Sequence, residues 1–568
     1  MKSTMNKLYL AIMSTLLATS LTACGSSSSE EGGEITVVDA TLKEASTYKN
    51  NLFCNNPSTA VEDICNIRMY QIMVEAFNNG DNNINYDVGY GTSNHKGDIQ
   101  GVIDQLDYIK GLGINAIWLT PVFQSADTST PVTPLDATGY FGEDYYKIDP
   151  HFGSEDTFRT LVDAAHAKGM YVFLDGVFGH FKSTISRTSP SYISLVSTDV
   201  CQGLGSTYTA GEGTLCADHS QEATLDFYKE LAAHYITEYK IDGWRLDQAY
   251  QVPVKNWKEI REAVEEAAKN TTYTRNGETV HPLGYMVGEI WSGDSQITQY
   301  GYGSDSLPGL KSNFAFNTRY GIVKALAVEE SSAYNHKGTT IQNELVNAEN
   351  TYPDFAVPNY FISNHDLVRF GDLLQRGVKK KALSSGNYDS DKYWKRYRLA
   401  HTVIASLSGP ITIFYGDEWG QEVPNFDVQK NEMGYYDDHV ARVTGQFRGF
   451  SSDQENLKNY VSEMLKIRNN SKALSMGTMT DIGTDSNLFA VKKTYGDSEV
   501  IVVMNIQEDK QINVTFENSL FSDESAAISL KYMDLSKASC SEEEVYPAGT
   551  TYSFTLEPLG AAVFFNKL

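Results

Sequence analysis

The sequence predicts an α/β chain that folds as a (β/α)8 barrel, carries an insertion after the third barrel strand and ends in an all-β sandwich. Three observations predict this architecture. From about residue 68, short apolar runs alternate with amphipathic helical patterns, as they do in βα units around a parallel sheet. Residues 181–221, rich in Ser, Thr and Gly, interrupt the alternation. From about residue 470 the helical periodicity ends, and short strand-like runs such as Val500-Ile-Val-Val503 follow.

Eight short apolar runs predict the strands of the barrel. They are Met69–Phe77, Ala116–Leu119, Met170–Leu174, Ile241–Leu246, Tyr285–Val287, Phe314–Phe316, Ala356–Ile362 and Ile411–Tyr415. Helical patterns lie between them, at Gly97–Leu112, Phe158–Ala167, Leu225–Tyr239 and Tyr393–Leu407. We therefore assign residues 66–180 and 222–468 to the barrel, 181–221 to the insertion and 469–568 to the sandwich. Functional groups of such a barrel lie at the carboxyl ends of its strands.

The first 23 residues are predicted to be a signal peptide. Lys2 and Lys7 form a positive segment before the apolar stretch Leu8–Leu21, which is too short to span a bilayer and is followed by polar sequence. Its end, Leu21-Thr-Ala-Cys24, is similar to a bacterial lipobox, in which Cys24 is lipidated. The alternative is a soluble secreted protein cut at a small-residue site. The Gly- and Ser-rich run after Cys24 favours a lipid anchor with a flexible tether, so residues 24–65 are predicted to be a lipidated N-terminus and linker.

Charge and cysteine content limit the classes of function. The formal net charge of −26 argues against a nucleic-acid partner, which requires a basic patch. We expect a monomeric lipoprotein of the cell envelope that contacts the membrane only through its anchor. Export permits disulfides, and local pairing joins Cys54 with Cys65 and Cys201 with Cys216, although the sequence leaves the connectivity open. The spacings do not match a zinc site.

Four segments in the middle of the chain carry the chemistry. Each places a carboxylate at the end of an apolar run, and three of the four place Arg or His beside it. The segments are Asp175-Gly-Val-Phe-Gly-His180, Asp242-Gly-Trp-Arg-Leu-Asp247, Gly288-Glu-Ile-Trp291 and Phe361-Ile-Ser-Asn-His-Asp366. In this order the set resembles the α-amylase superfamily of retaining glycoside hydrolases, family thirteen. The resemblance covers roughly residues 66 to 568 and implies that 181–221 is similar to domain B and 469–568 to domain C of the amylases.

The resemblance implies that Asp247 is the nucleophile and Glu289 the general acid/base. The residues agree with these roles. Arg245 and Asp247 project to the same side of a strand, where a guanidinium keeps the nucleophile ionised. The apolar surroundings of Glu289 raise its pKa, so that it keeps a proton to donate.

Further site residues follow from the resemblance alone. Asp366 is the third catalytic acid, and Asp175 orients Arg245. Tyr140 is a stacking aromatic beside the reacting sugar. The residues expected to bind substrate are Tyr140, Asp175, His180, Arg245, Asn364 and His365.

The sequence departs from typical α-amylases at two places. Gly179 replaces an Asn that is a calcium ligand in those enzymes, and Tyr250 and Gln251 replace a Lys-His pair that holds the leaving-group sugars. Gly179 therefore removes one ligand of the usual calcium site of domain B, while Asp218 remains a possible ligand of that site. A different Ca²⁺ site is predicted in the Asn-rich loop after strand one, with the ligands Asn79, Asp81, Asn85 and Asp98. Turn chemistry alone also produces such loops.

The leading hypothesis is an endo-acting, α-amylase-like enzyme that hydrolyses α-1,4-glucosidic bonds in starch, glycogen or maltodextrins through a covalent glycosyl-enzyme. An α-glucosidase, a cyclomaltodextrinase or a 4-α-glucanotransferase of the same fold is the alternative. A non-catalytic glucan-binding lipoprotein is a remote third hypothesis. The presence of Arg245, Asp247, Glu289 and Asp366 together argues against it.

Overall fold

The computed structural model describes residues 35–88, 92–93, 95–127, 132–185, 192, 194–379, 383, 391–427, 438–522, 530–534, 544–546 and 551–566. The predicted signal peptide, residues 1–23, and the predicted lipidation site Cys24 lie outside these residues. Val37–Leu568 cluster as one unit. In the described part of the chain, no helix combines the length and the apolarity that crossing a membrane requires.

Eight parallel strands close into a barrel, as the sequence predicts. They pair in the order β4-β5-β6-β7-β8-β1-β2-β3, with β3 pairing back onto β4. The strands are β1 Arg68–Ile72, β2 Ala116–Leu119, β3 Tyr171–Gly176, β4 Gly243–Leu246, β5 Tyr285–Gly288, β6 Ser312–Phe314, β7 Val357–Phe361 and β8 Ile411–Phe414. Every residue of β1 to β8 is buried, because helices cover the outside and side chains fill the inside. This burial on both faces explains why most of the strands are rich in apolar residues on both faces rather than alternating with polar ones.

Long helices pack around the barrel. They span Glu155–Ala167, Glu222–Glu238, Val254–Asn270, Phe316–Leu326, Gly338–Thr351, Phe370–Lys379, Asp391–Ser406 and Ser452–Asn470. Shorter helical segments lie at Glu62–Cys65, Val74–Phe77, Ile99–Asp104, Leu106–Gly111, Pro134–Ala137, Asp294–Ile297 and Lys472–Met476, and a π-helical turn spans Thr298–Tyr302.

Three of the differences between the predicted elements and the structure have an identifiable cause. The first predicted strand ends at Ile72, and the rest of its apolar run forms the short helix Val74–Phe77. The predicted helix Gly97–Leu112 is broken at Gln105, whose ψ of 3° leaves the helical range. The sixth strand lies two residues earlier than predicted, because Phe316 begins a helix. Short apolar runs do not distinguish a strand from the first turn of a helix.

The insertion forms two small sheets above the carboxyl end of β3. Thr214–Ala217 pairs with His180–Lys182 and with Ser197–Thr198, and Val200–Gln202 forms a hairpin with Thr207–Thr209. The Cys201–Cys216 disulfide confirms the predicted local pairing and ties the hairpin to the first of these sheets. The Cys54–Cys65 disulfide, also predicted, closes a loop just before β1.

The C-terminal region is a β-sandwich, as predicted. Its strands are β9 Thr478–Asp481, β10 Leu488–Tyr495, β11 Ser498–Asn505, β12 Lys510–Glu517, β13 Leu530–Asp534, β14 Glu544–Tyr546, β15 Thr551–Leu556 and β16 Ala561–Phe565. One sheet has the order β9-β10-β11-β16-β13-β14. The other joins β12 and β15 to the strand Thr36–Leu42. The expectation of a linker over residues 24–65 is therefore wrong for 36–42, which pair with β12 and place Leu42 in the sandwich core.

Candidate active site

The ends of four barrel strands bring the predicted acids to one place. Asp175 lies within the end of β3, Asp247 and Glu289 directly follow β4 and β5, and Asp366 follows β7 after a short turn. A cleft of about 410 Å³ opens there. It is lined by Leu135, Thr138, Tyr140, Phe141, His180, Asp247, Gln248, Tyr250, Glu289, Trp291, His365, Asp366 and Arg442.

Arg245 is fully buried beneath the cleft and joins three carboxyl groups. Its Nη1 lies 2.8 and 2.7 Å from the two carboxylate oxygens of Asp175 and 3.0 Å from Oδ1 of Asp247. Its Nη2 lies 3.2 Å from Oε2 of Glu289. Burial by itself lowers the pKa of Arg245. The attraction of the negative charges of Asp175 and Glu289 is larger, so the pKa of Arg245 is raised. The arginine therefore stays charged and holds the acids in one geometry.

Glu289 is the acid of the cleft that keeps its proton at neutral pH. It is 6% exposed, and burial raises its pKa to about 8, helped by the negative charges of Asp247 and Asp366 and opposed by Arg245. The backbone N–H of Gln248 donates to its Oε2 at 3.2 Å. This confirms the predicted direction of the shift, which makes Glu289 a proton donor near neutral pH.

Asp366 lies on the other side of the cleft between two donors. Arg442 Nη2 donates to its Oδ1 at 2.7 Å, and His365 Nε2 lies 3.0 Å from its Oδ2. His365 also lies 2.8 Å from the hydroxyl of Tyr140, and the two rings are nearly parallel, at 6°. The Tyr140 hydroxyl is 2.8 Å from Oδ2 of Asp175, which links this side of the cleft to the Arg245 cluster.

The predicted substrate-binding residues separate into two sets. Tyr140, His180 and His365 line the cleft, as expected. Asp175 and Arg245 are 0% exposed and lie behind it, so the structure does not support direct contact with substrate. Asn364 is also outside the cleft lining, and its Oδ1 accepts the backbone N–H of Asp366, so it shapes the turn that carries this acid. We correct these three from ligands of the substrate to positioning residues.

Sequence reasoning missed several residues of the cleft. Arg442 lies 76 positions from Asp366 in an irregular segment, and no motif marks it. Trp291 stands in the quoted Glu289 motif without an assigned role. It is 40% exposed, its Nε1 donates to the Tyr320 hydroxyl at 2.7 Å, and its ring stacks parallel to Phe316. Trp291 therefore presents a fixed, partly exposed aromatic face to the cleft beside Glu289.

Two of the predicted calcium ligands, Asp98 and Asn79, have contacts in the structure that bear on a cation site. The Asp98 carboxylate accepts backbone N–H groups of Gly80, Asp81 and Gly101, so it caps a helix and closes the loop. The Oδ1 of Asn79 is buried and has no hydrogen-bond partner among the described residues, which fits a cation. Within the same residues, no group of three or more His, Cys, Asp or Glu is arranged to bind a metal. The calcium site stays a prediction.

Similarity to known proteins extends over most of the chain. A family model for the α-amylase catalytic domain matches residues 71–194 and 218–455. The cyclomaltodextrinase of Thermoanaerobacter pseudethanolicus is 28% identical over 466 residues, which make up 78% of this chain and 71% of that protein. Alpha-amylase 3 of Dictyoglomus thermophilum is 27% identical over 482 residues, 78% of this chain and 85% of that protein.

Among solved structures, the crystal structure of AmyP in complex with maltose has a TM-score of 0.75 and 39% identity, over 88% of this chain and 97% of that one. A variant of AmyP in complex with maltotriose has a TM-score of 0.76 and 38% identity, over 89% and 97%.

Proposed function

Because the chain belongs to the α-amylase family of glycoside hydrolases acting on α-glucans, we propose that it cleaves α-1,4-glucosidic bonds by double displacement at Asp247 and Glu289. The observation that carries the proposal is the Arg245 cluster. One buried guanidinium contacts both acids, and Glu289 keeps a proton in the same cleft. A retaining glycosidase needs this division of labour between two neighbouring carboxyl groups.

In the first step, an oxygen of Asp247 attacks the anomeric carbon while Glu289 gives its proton to the glycosidic oxygen. The bond between that carbon and that oxygen breaks, its electron pair stays with the leaving oxygen, and the proton neutralises it. In the second step, the Glu289 carboxylate takes a proton from water, and the water oxygen displaces Asp247. One water is consumed, and the anomeric configuration is retained.

The rest of the cleft binds the sugar. Asp366 offers carboxylate oxygens to sugar hydroxyls, and the Tyr140 ring offers an apolar face. Because Arg442 and His365 already contact Asp366, its position is defined before substrate arrives. Preorganisation of this kind favours the distorted, oxocarbenium-like transition state. The complexes of AmyP with maltose and maltotriose support an α-glucan ligand.

Endo attack on starch is the activity we favour, and opening of cyclodextrins is the second candidate because a relative is a cyclomaltodextrinase. The test compares products from soluble starch, pullulan and cyclodextrin. Early release of long mixed oligosaccharides from starch supports endo attack. Rapid consumption of cyclodextrin with little action on starch would favour the second candidate. No action on any of the three would contradict the proposed function.

The proposal also includes an exported form anchored by lipid at Cys24, a monomeric state, and a Ca²⁺ held by the loop of Asn79. The lipobox-like sequence and the tether support the anchor. Calcium would stabilise the loop after β1 and take no part in the chemistry. Fractionation of cells that express wild type or Cys24→Ser tests the anchor. Equal membrane association of both forms would reject it.

A further inference from the structure

We propose that Gln251 is a positioning residue that orients His180 in the cleft and ties the hairpin of the insertion to the short helical turn Ala249–Gln251 after the catalytic strand β4. The inference rests on the proposed function of the cleft for its kinetic test only. It starts from two residues at which the sequence departs from typical α-amylases, Gly179 and Gln251. The structure brings these two residues close together.

Gly179 makes room for Gln251. A Cβ atom added at position 179 would overlap Oε1 of Gln251, and the Cβ and Cδ of that side chain would lie within 2.7 Å of it. Gly179 is not needed for a left-handed backbone, since its φ is not among the positive values. The glycine is therefore required by the close approach of the Gln251 amide, which is 4% exposed.

The Gln251 amide uses both of its ends. Its Oε1 lies 3.0 Å from Nδ1 of His180. Its Nε2 donates to the Tyr208 hydroxyl at 2.6 Å and to Oε1 of Gln248 at 3.3 Å. Since an amide oxygen only accepts, Nδ1 of His180 is the donor in this hydrogen bond, and Nε2 is the ring nitrogen left for other partners. His180 lines the cleft, so this Nε2 is the atom that accepts a sugar hydroxyl.

The second end of the amide reaches the insertion. Tyr208 lies in the hairpin strand Thr207–Thr209, and its ring is 42% exposed. Gln248 and Tyr250 line the cleft beside Asp247, and the Tyr250 hydroxyl donates to Oε1 of Gln248 at 2.6 Å. One buried amide thus joins the hairpin to His180 and to the part of the cleft wall that Gln248 and Tyr250 form.

The kinetic test separates the two ends with Gln251→Leu and Tyr208→Phe. Tyr208→Phe loses only the hairpin tie, so KM for long glucans should rise with kcat unchanged. Gln251→Leu loses both ends, so kcat should also fall, by about tenfold. In a His180→Ala background, Gln251→Leu should lower kcat no further. The matched control is Gln202→Leu in the same hairpin, whose exposed amide donates to the carbonyl of Gly203. It should behave as wild type.

A second measurement does not depend on activity. In protein labelled with ¹⁵N at its 11 histidines, the His180 signal is assigned by its loss in His180→Ala. We expect protonated Nδ1 and unprotonated Nε2 in wild type, and a mixture of tautomers in Gln251→Leu. Protonated Nε2 in wild type would overturn the inference. The inference would also be overturned if Gln251→Leu lowered kcat equally in the wild type and in the His180→Ala variant. Each kcat is first corrected for the fraction of folded, active enzyme. An inactive wild type would contradict the proposed function, and the tautomer would still decide the inference.

Discussion

The raised pKa of Glu289 has two consequences that one substitution, Glu289→Gln, makes measurable. The group moves from an ordinary value of 4.5 to about 8 because it is buried against Asp247 and Asp366. In the unfolded chain it ionises near 4.5, whereas the native state holds its proton up to about pH 8. Between these values the native state binds more protons than the unfolded state, so the free energy of unfolding falls as pH rises.

The size of the effect follows from the same numbers. Each pKa unit is about 1.4 kcal/mol, so the wild type should lose up to about 5 kcal/mol relative to the Gln variant between pH 4.5 and 8. Above pH 8 the difference in free energy of unfolding between the two proteins should stay constant. Below pH 4.5 only the pH-independent effect of the substitution itself should remain. In parallel, kcat/KM of the wild type should fall as pH rises through about 8, because the proton donor is lost.

The assay is urea unfolding of wild type and Glu289→Gln at a series of pH values, together with the pH profile of kcat/KM on maltodextrin. Glu266→Gln is the matched control, since its side chain is 64% exposed on the helix Val254–Asn270. It should show no such pH-dependent gain. The variant's gain in free energy of unfolding over wild type should be larger at pH 8 than at pH 5. An equal gain at both pH values would refute the argument that burial and neighbouring charge keep Glu289 protonated.

Three further predictions concern groups around the site and in the core. Arg442→Met should lower kcat/KM by about 100-fold. In an Asp366→Asn background the same substitution should lower kcat/KM little, since Arg442 acts through that carboxylate. Additive losses in the double variant would contradict this. Lys493→Met should raise the free energy of unfolding at pH 6 by up to about 4 kcal/mol more than at pH 10, because burial lowers the pKa of Lys493 to about 7. The gain should shrink as pH approaches about 10, and a gain independent of pH would be evidence against it. After dialysis against EDTA, millimolar Ca²⁺ should raise Tm by a few degrees in wild type and not in Asn79→Leu; an unchanged wild-type Tm would reject the calcium site.

The barrel and its catalytic acids are predictable because they depend on local patterns. A parallel strand buried on both faces is an apolar run, and Asp247 and Glu289 directly follow such runs. Since strand ends meet at one face, motifs far apart in sequence converge without any knowledge of their packing. The burial that raises the pKa of Glu289 is also a local property, because the residues on either side are apolar.

The rest depends on contacts between distant segments that leave no local pattern. Arg442 reaches Asp366 from 76 positions away, and Gln251 reaches His180 from 71. The strand Thr36–Leu42 looks like part of a polar linker until it pairs in the C-terminal sandwich, where Asn513 donates to Asp39 across 474 positions. Asp175 and Arg245 lie fully buried behind the cleft, and a resemblance carried by short motifs does not reveal this depth.

The central claim is that Asp247 attacks the anomeric carbon, and trapping the covalent intermediate tests it most directly. A 5-fluoro-α-glucosyl fluoride reacts with the nucleophile of a retaining α-glycosidase and leaves an adduct that hydrolyses slowly, because the fluorine destabilises the oxocarbenium-like transition state. Mass spectrometry of the digested protein should find one added sugar on the peptide that contains Asp247, and none in Asp247→Asn. An adduct on Asp366 or Glu289 in the wild type would contradict the account.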